Sequence, residues 1–350
     1  MSLEKNLSLQ DFNREELSFI TDMGYPKFRI DQIFQAALDN KEYEQMTNIP
    51  QKLKDELSQS YYATAVKIKE VFKGKDGTEK YLYLLNDGNI VEGVFMPHNY
   101  GNTICISTQV GCRMGCAFCA STLNGLIRNL TCGEMVGQVL SANALHGGDR
   151  KNRKINNIVL MGSGEPLDNY DNVVKFLKNI SDKDGFDIGI RKISLSTCGL
   201  SEKIIELADS NLPITLTISL HASTDEKRSA LMPINKSNNI SRLISAAKYY
   251  FNKTGRRIIF EYSLIEGENS SKADAETLAS LLKGLNCHVN IINLNYVKER
   301  NLRGANKDTI KDFMDTLTAK GISNTLRRSM GNDIEGACGQ LRNKYISEGM

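Results

Sequence analysis

The sequence predicts an α/β protein built as a partial (β/α)6 barrel, with a small helical N-terminal accessory domain and a short antiparallel β extension. Three observations carry that prediction. From about residue 101 onward, strand-like apolar runs alternate with amphipathic helical segments six times, a rhythm that builds a parallel sheet flanked by helices. Polar, chemistry-bearing residues recur where those strands end, and barrels of this class bind ligands there. The stretch before residue 101 has a different period, helical to about residue 60 and hairpin-like after it. The predicted ranges are 1–60 for the helical domain, 61–100 for the β extension and 101–345 for the core.

The elements follow in chain order. Asn13-Arg14-Glu15-Glu16 has the form of a helix cap, followed by Leu17, Ile20 and Met23 on one face and a stop at Gly24. A second helix after Pro26 carries Ile30, Ile33, Phe34 and Leu38, and a third after Pro50 carries Leu53 and Leu57. Strand character then runs from Val66 to Phe72 and from Glu79 to Leu85, joined by Gly74-Lys75-Asp76-Gly77. Asn86-Asp87-Gly88 signals a hairpin before Ile90 to Met96. The core strands are expected at Thr103–Ser107, Asn157–Met161, Lys192–Ser196, Ile214–Ser219, Arg257–Leu264 and His288–Asn293. Helices are expected at Gly133–Ala144, Asp171–Ile180, Glu202–Ala208, Ile240–Phe251 and Ala273–Leu282. Six repeats are too few to close a full barrel.

Composition narrows the function. The chain has 350 residues, a formal net charge of +3 and eight cysteines. A chain of this size buries enough surface to need no disulfide scaffold. It has no apolar run of about 18 residues, so no membrane helix is expected. Its first residues, Met1-Ser2-Leu3-Glu4-Lys5-Asn6, lack the apolar stretch of a secretory signal. A cytoplasmic location follows, where thiols bind metal or do chemistry. Basic clusters at Arg150-Lys151-Asn152-Arg153-Lys154, Arg256-Arg257, Lys298-Glu299-Arg300 with Arg303, and Arg327-Arg328 are together compatible with a phosphate-backbone partner.

The chemistry starts at Cys112-Arg113-Met114-Gly115-Cys116-Ala117-Phe118-Cys119. Three thiols spaced C-x3-C-x2-C can hold three irons of a 4Fe–4S cluster and leave the fourth iron open to a small molecule. A zinc site would need a distant fourth ligand, for which Cys105 and Cys132 are the near candidates. The other strand ends are equally polar. Gly162-Ser163-Gly164-Glu165-Pro166-Leu167 follows the second strand, Ser196-Thr197 ends the third, Ser219-Leu220-His221 ends the fourth and Asn295 follows the sixth. Each alone reads as a turn or a helix cap. Together on one rim they describe a binding site.

The cysteine loop followed by a Gly-Glu motif resembles the radical S-adenosylmethionine (SAM) superfamily. Six strings narrow the likeness: Gln109-Val110-Gly111-Cys112, Gly125-Leu126-Ile127-Arg128-Asn129-Leu130, Gly164-Glu165-Pro166-Leu167-Asp168-Asn169, Ser219-Leu220-His221-Ala222, Leu231-Met232-Pro233-Ile234-Asn235 and Ala337-Cys338-Gly339-Gln340-Leu341. They resemble the rRNA and tRNA adenine-C2 methyltransferases of the RlmN family, over nearly the whole chain. Ser163 departs from the methionine frequent at that place, whereas Pro166 matches the C2 family rather than the related adenine-C8 methyltransferases of the Cfr family.

The resemblance implies a fold of the radical SAM type and a set of roles. Cys112, Cys116 and Cys119 would ligate one 4Fe–4S cluster. Gly164, Glu165, Ser196, Ser219, Leu220, His221 and Asn295 would contact SAM, two molecules of which serve each turnover. Cys338 would carry the methyl group, Cys105 would resolve the protein–RNA adduct and form a disulfide with Cys338, and Glu92 would accept the C2 proton. Carbon 2 of adenine has no useful lone pair, so it cannot simply attack the SAM methyl group, and a radical route is the remedy. The implied substrates are 23S rRNA near the peptidyl-transferase region and the adenosine 3′ of the anticodon in certain tRNAs. The implied partners are these RNAs and a reducing donor such as flavodoxin, acting on a monomer away from any membrane. The competing readings are the C8 methyltransferase and a non-catalytic, metal-stabilised RNA-binding protein. On the residues alone, Cys132, Cys198 and Cys287 read as structural.

Overall fold

Local signals near the N-terminus set short elements rather than long ones. The computed structural model describes residues 7–294, 302–327 and 331–334. A two-residue strand β1 (Leu7–Ser8) precedes three helices, α1 (Phe19–Asp22), α2 (Phe28–Leu38) and α3 (Gln51–Ser60). The expected cap forms: the Glu16 N–H donates to the Asn13 side chain, and the Asn13 N–H donates to Glu16, both at 2.9 Å. It opens a 3-10 turn rather than a long helix, however, and Met23 is left 38 % exposed. Ile30, Ile33, Phe34, Leu38, Leu53 and Leu57 are buried as their spacing requires. Strand β2 (Tyr61–Tyr62) pairs with β1 and leads into the β extension.

The extension is the meander β3 (Val66–Lys73), β4 (Glu79–Leu85) and β5 (Ile90–Met96). The Leu85 carbonyl accepts from Gly88, closing the predicted Asn86-Asp87-Gly88 turn. One face of this meander puts Tyr81, Tyr83, Val91 and Phe95 into the main core. Its opposite face carries Lys80, Leu82, Ile90, Glu92 and Val94, all buried as well.

The remaining elements alternate as the sequence predicts. Strand β6 (Thr103–Cys105) is followed by a small hairpin, β7 (Gln109–Gly111) with β8 (Leu126–Asn129), and by α4 (Cys132–Leu145). Then come β9 (Asn157–Leu160), α5 (Tyr170–Ser181), β10 (Ile193–Thr197), α6 (Ser201–Asp209) and β11 (Thr215–Ser219). Helices α7 (Asp225–Leu231) and α8 (Ile240–Thr254) lead to β12 (Ile258–Leu264), α9 (Lys272–Leu282), β13 (Cys287–Asn293), α10 (Lys307–Ala319) and β14 (Asn324–Leu326). The hairpin β7–β8, α7, α10 and β14 add to the predicted set.

One ten-stranded sheet runs β14-β13-β12-β11-β10-β9-β6-β5-β4-β3. Every pair from β6 to β14 is parallel, and β6–β5, β5–β4 and β4–β3 are antiparallel. Spatial order follows chain order without a reversal, the singly wound path of barrel folds. The extension is thus joined to the core edge to edge through β5 and β6. Helix α4 anchors the junction. Its Gly133 N–H donates to Asp11, its Gln138 carbonyl accepts from the Tyr83 hydroxyl, and the Gln138 side chain bonds both backbone groups of Ser107.

Candidate active site

A cavity of about 1040 Å³ lies along the inner face of the sheet. Residues at the C-terminal ends of the strands line it, and so do residues at their N-terminal ends, so it runs the length of the partial barrel. Its wall includes Cys105, Cys112, Cys116, Cys119, Gly164, Glu165, Ser196, Ser219 and His221. The structure therefore brings nine of the thirteen sequence-predicted site residues to one cavity. Leu220 is fully buried in the main core instead, with its carbonyl accepting from Arg228 at 3.1 Å. Glu92 is buried on β5 and is not among the lining residues. Asn295 and Cys338 lie outside the described residues.

The cysteine loop is held by backbone bonds at both ends. The Cys112 N–H donates to Gly125 at 2.9 Å, and the Ala117 N–H donates to Leu231 at 2.8 Å. This second bond docks the loop on the end of α7. Cys112, Cys116 and Cys119 pack together with Met114, Phe118, Cys198, Leu231 and Met232. Burial pushes the Cys112 thiol up to about 12 and raises that of Cys116. Thiols this dry remain protonated until a metal takes the proton's place.

The Gly-Glu motif is locked to the cysteine loop by Gln109, which is fully buried. The Gln109 amide donates to Asn129 at 2.9 Å and to Asp168 at 3.0 Å, and its carbonyl accepts from the Glu165 N–H at 2.8 Å. Arg113 grips Asp168 from the solvent side through two nitrogens, with Nε at 2.9 Å. Gly164 has φ +109, and a Cβ there would meet the Gln109 backbone at 2.7 Å, so only glycine fits. Glu165 is buried, and its carboxylate accepts from the Leu167 N–H at 3.0 Å and the Cys198 N–H at 2.7 Å. Burial raises its carboxyl, opposed by those donors.

The ends of β10 and β11 add neutral side chains to the cavity. Ser196 and Ser219 stand 3.5 Å apart at the ends of β10 and β11. His221 has φ +55, and its Nδ1 accepts the Ser263 N–H at 3.0 Å, which leaves the proton on Nε2. Burial pushes the ring down to about 3, so it is uncharged. Phe118 meets it edge-on with centroids 4.7 Å apart.

Four participants were missed by sequence reasoning. Glu261 is a buried carboxylate on β12, 2.7 Å from Arg327. A charge inside the apolar run Ile258-Ile259-Phe260-Glu261-Tyr262 was the available signal. Arg228 is fully buried, donating to the carbonyls of Cys198, Ser219 and Leu220 and to the Asn235 side chain. Cys198 lines the cavity beside the triad, whereas Cys132 packs in the main core against Asn179. Lys80 is buried at 3.1 Å from Glu92. No local pattern distinguishes Arg228 or Lys80 from a surface cation.

A family model described as the radical SAM superfamily matches residues 106–282. The chain is 49 % identical over 342 residues to a probable dual-specificity RNA methyltransferase RlmN of Clostridium botulinum, covering 97 % of each chain. It is 51 % identical over 335 residues to a like-named protein of Alkaliphilus oremlandii, covering 95 % of this chain and 96 % of that one. The chain belongs to the RlmN family of radical SAM enzymes. A solved radical SAM methyltransferase from Sphaerobacter thermophilus superposes with a TM-score of 0.91 at 40 % identity, over 96 % of this chain and 99 % of that one.

The radical SAM family implies a 4Fe–4S cluster and SAM, and the cavity fits them. Among the described residues no three His, Cys, Asp or Glu side chains form a group that could hold a metal ion. A cluster asks for one thiol per iron instead, and three neighbouring thiols on one cavity wall meet that need. The soft thiolate set suits iron–sulfur chemistry. Beside the triad, the cavity leaves room for a ligand of nucleoside size.

Proposed function

We propose that this RlmN-family enzyme, a SAM-dependent RNA methyltransferase, methylates carbon 2 of adenosine in 23S rRNA and in certain tRNAs through a methyl-cysteine on Cys338. The observation that carries the reading is the placement of Cys105 in the same cavity as Cys112, Cys116 and Cys119. A resolving thiol must reach the reacting carbon, and that carbon must sit beside the radical source.

The roles divide as follows. Cys112, Cys116 and Cys119 hold the cluster. Gly164, Glu165, Ser196, Ser219, His221 and Asn295 border SAM, and two SAM molecules serve each turnover. When bound, the cluster supplies the electron that splits the sulfonium of SAM. Gln109 and Arg113 keep the cysteine loop and the Gly-Glu turn in fixed register. The neutral His221 offers an Nε2–H donor without adding charge. To accept the C2 proton, Glu92 has to leave Lys80 and turn into the cavity, which it does not line in this structure. The Cys105 thiolate bonds to the Cys338 sulfur as that sulfur's bond to the transferred carbon breaks, the carbon takes up a proton to become the methyl group, and the disulfide left behind must be reduced before the next cycle. Residues 1–60 form an accessory unit that contacts RNA, 61–100 a linker and 101–345 the catalytic core. The enzyme works as a cytoplasmic monomer with a flavodoxin-like donor. Among the described residues no helix is long and apolar enough to cross a membrane.

The test is mass spectrometry of nucleosides from RNA treated with the anaerobically reconstituted enzyme. 2-Methyladenosine is the expected product. 8-Methyladenosine would move the chain to the C8 reaction, and unmodified RNA would overturn the reading.

A further inference from the structure

Lys298, Glu299, Arg300 and Arg328 of the basic clusters singled out from sequence lie outside the described residues, and several of the described arginines are engaged with the protein itself. Arg153 donates to Phe186 at 2.6 Å, Arg256 to Thr215 at 2.8 Å, Arg257 to Cys287 at 3.0 Å and Arg327 to Glu261 at 2.7 Å. A different pair of cations stands at the cavity. Arg191 and Lys192 lie just before β10, are exposed, and line the cavity at the N-terminal end of the strands. Neither has an ion-pair partner among the described residues, and Asp76, an acid that also lines the cavity, accepts instead from the Thr78 and Gly331 N–H groups at 3.0 Å.

An aromatic platform faces the same mouth. Just before β6 the chain makes a tight turn in which the Gly101 N–H donates to the His98 carbonyl at 3.0 Å. The turn stacks His98 on Tyr100, with centroids 4.7 Å apart and planes 10° from parallel. Tyr100 is 77 % exposed, by far the most of any large hydrophobic side chain described. The turn is pinned where it meets the sheet. The Asn102 N–H donates to the Asn156 side chain at 2.9 Å, and Gly101 has φ +116, where a Cβ would strike Asn156 at 2.9 Å. A ring this exposed at the mouth of the cavity adds little to the core.

The two features are spaced for one ligand. Strands β6 and β10 flank β9, so the platform and the cations stand about two strand spacings, roughly 10 Å, apart. That span suits a base stacked on Tyr100 with the next phosphate between Arg191 and Lys192. From there the cavity leads up β6 to Cys105.

We propose that Tyr100, backed by His98, and the pair Arg191 and Lys192 form the seat for an unpaired nucleotide of the RNA substrate, next to the adenosine that enters the cavity. The seat rests on the RNA-methyltransferase reading and adds to it where the strand is gripped. It favours single-stranded or looped RNA, because a base in a duplex cannot offer its face to the ring.

Fluorescence anisotropy with a labelled RNA hairpin, its single-stranded loop containing adenosine, tests the seat on the full-length protein. Tyr100→Ala should weaken binding about 5- to 150-fold, and Tyr100→Phe should retain it. The double variant Arg191→Gln/Lys192→Gln should flatten the dependence of log affinity on log salt by about 1.4. Circular dichroism should show all three variants folded, as expected for exposed side chains. Unchanged affinity in Tyr100→Ala and an unchanged salt slope, with the parent protein binding well, would overturn the seat alone. A parent protein that does not bind the hairpin would overturn the RNA reading and the seat with it.

Discussion

The ammonium of Lys80 lies 3.1 Å from the carboxylate of Glu92, and both residues are buried. The pair sits on adjacent strands of the β extension, on the face opposite the tyrosines that enter the main core. Two opposite charges in a dry place offset much of each other's desolvation, and removing one takes that offset from the other. Lys80→Met should therefore destabilise the protein by about 3–5 kcal/mol, and Lys80→Met/Glu92→Met should recover much of that loss. Urea denaturation midpoints of the single and double variants check this. A single variant within about 1 kcal/mol of the parent would mean that the carboxylate is satisfied without Lys80.

Gln109 and Arg113 both reach Asp168, yet they should contribute unequally. Arg113 is largely exposed, and an ion pair with such a partner is screened by water. Arg113→Ala should cost less than about 1 kcal/mol. Gln109 is fully buried and serves Glu165, Asp168 and Asn129 together. Gln109→Leu takes one buried partner from each of those groups and should cost about 2–4 kcal/mol. It should also lower the iron bound per chain after reconstitution, because the cysteine loop loses its brace. Iron content equal to that of the parent would show that the loop holds its shape without the amide.

The contrast between these residues explains what the sequence made legible. The core strands announce themselves as β-branched and apolar runs, and all six predicted ones form within a residue or two of their expected bounds. Strand β14 escaped because Asn324-Thr325-Leu326 is a short, largely exposed edge with no apolar pattern. Helix α7 escaped because Asp225-Glu226-Lys227-Arg228 reads as a solvated charge run, although Arg228 is wholly buried. The same holds within the site. Cysteines, glycines and a histidine at strand ends are unusual enough to be noticed. The groups that hold them, Gln109, Arg228, Glu261 and Lys80, acquire their roles only when distant segments pack around them. A carbonyl cage for Arg228 comes from β10, β11 and the turn after α7, which no sequence window contains together.

His221 should make stability depend on pH in one direction. Burial lowers its ring from 6.5 to about 3. The unfolded chain therefore binds a proton that the folded chain refuses, and stability rises with pH between those values. Its contribution is fully present above about 6.5 and is lost progressively as pH falls towards 3. Buried Glu165 and Glu261 have raised carboxyls, whose effect has the opposite sign, so the comparison must be with a variant. His221→Asn keeps an acceptor for Ser263 and suits the left-handed backbone. Between pH 7 and pH 5 the parent should lose about 2 kcal/mol more than the variant in denaturant titrations. Parallel pH profiles would mean that the ring protonates in the fold.

Cys105 and Cys338 should separate when tested singly. Cys105 lies on β6 with its side chain on the cavity, and Cys105→Ala removes little volume from the wall. The variant should fold and bind its cluster, and its visible absorbance after anaerobic reconstitution should match the parent. With SAM, reductant and RNA it should accumulate a protein–RNA adduct, seen as a slower band on a denaturing gel and lost on ribonuclease treatment. Without the proposed resolving thiol, the bond from Cys338 to the modified base loses the nucleophile assigned to break it. Cys338→Ala should show the same absorbance and form neither adduct nor methylated base, since the proposed carrier is gone. An adduct in Cys338→Ala would place the carrier elsewhere, and ordinary turnover in Cys105→Ala would remove the resolving role from that thiol.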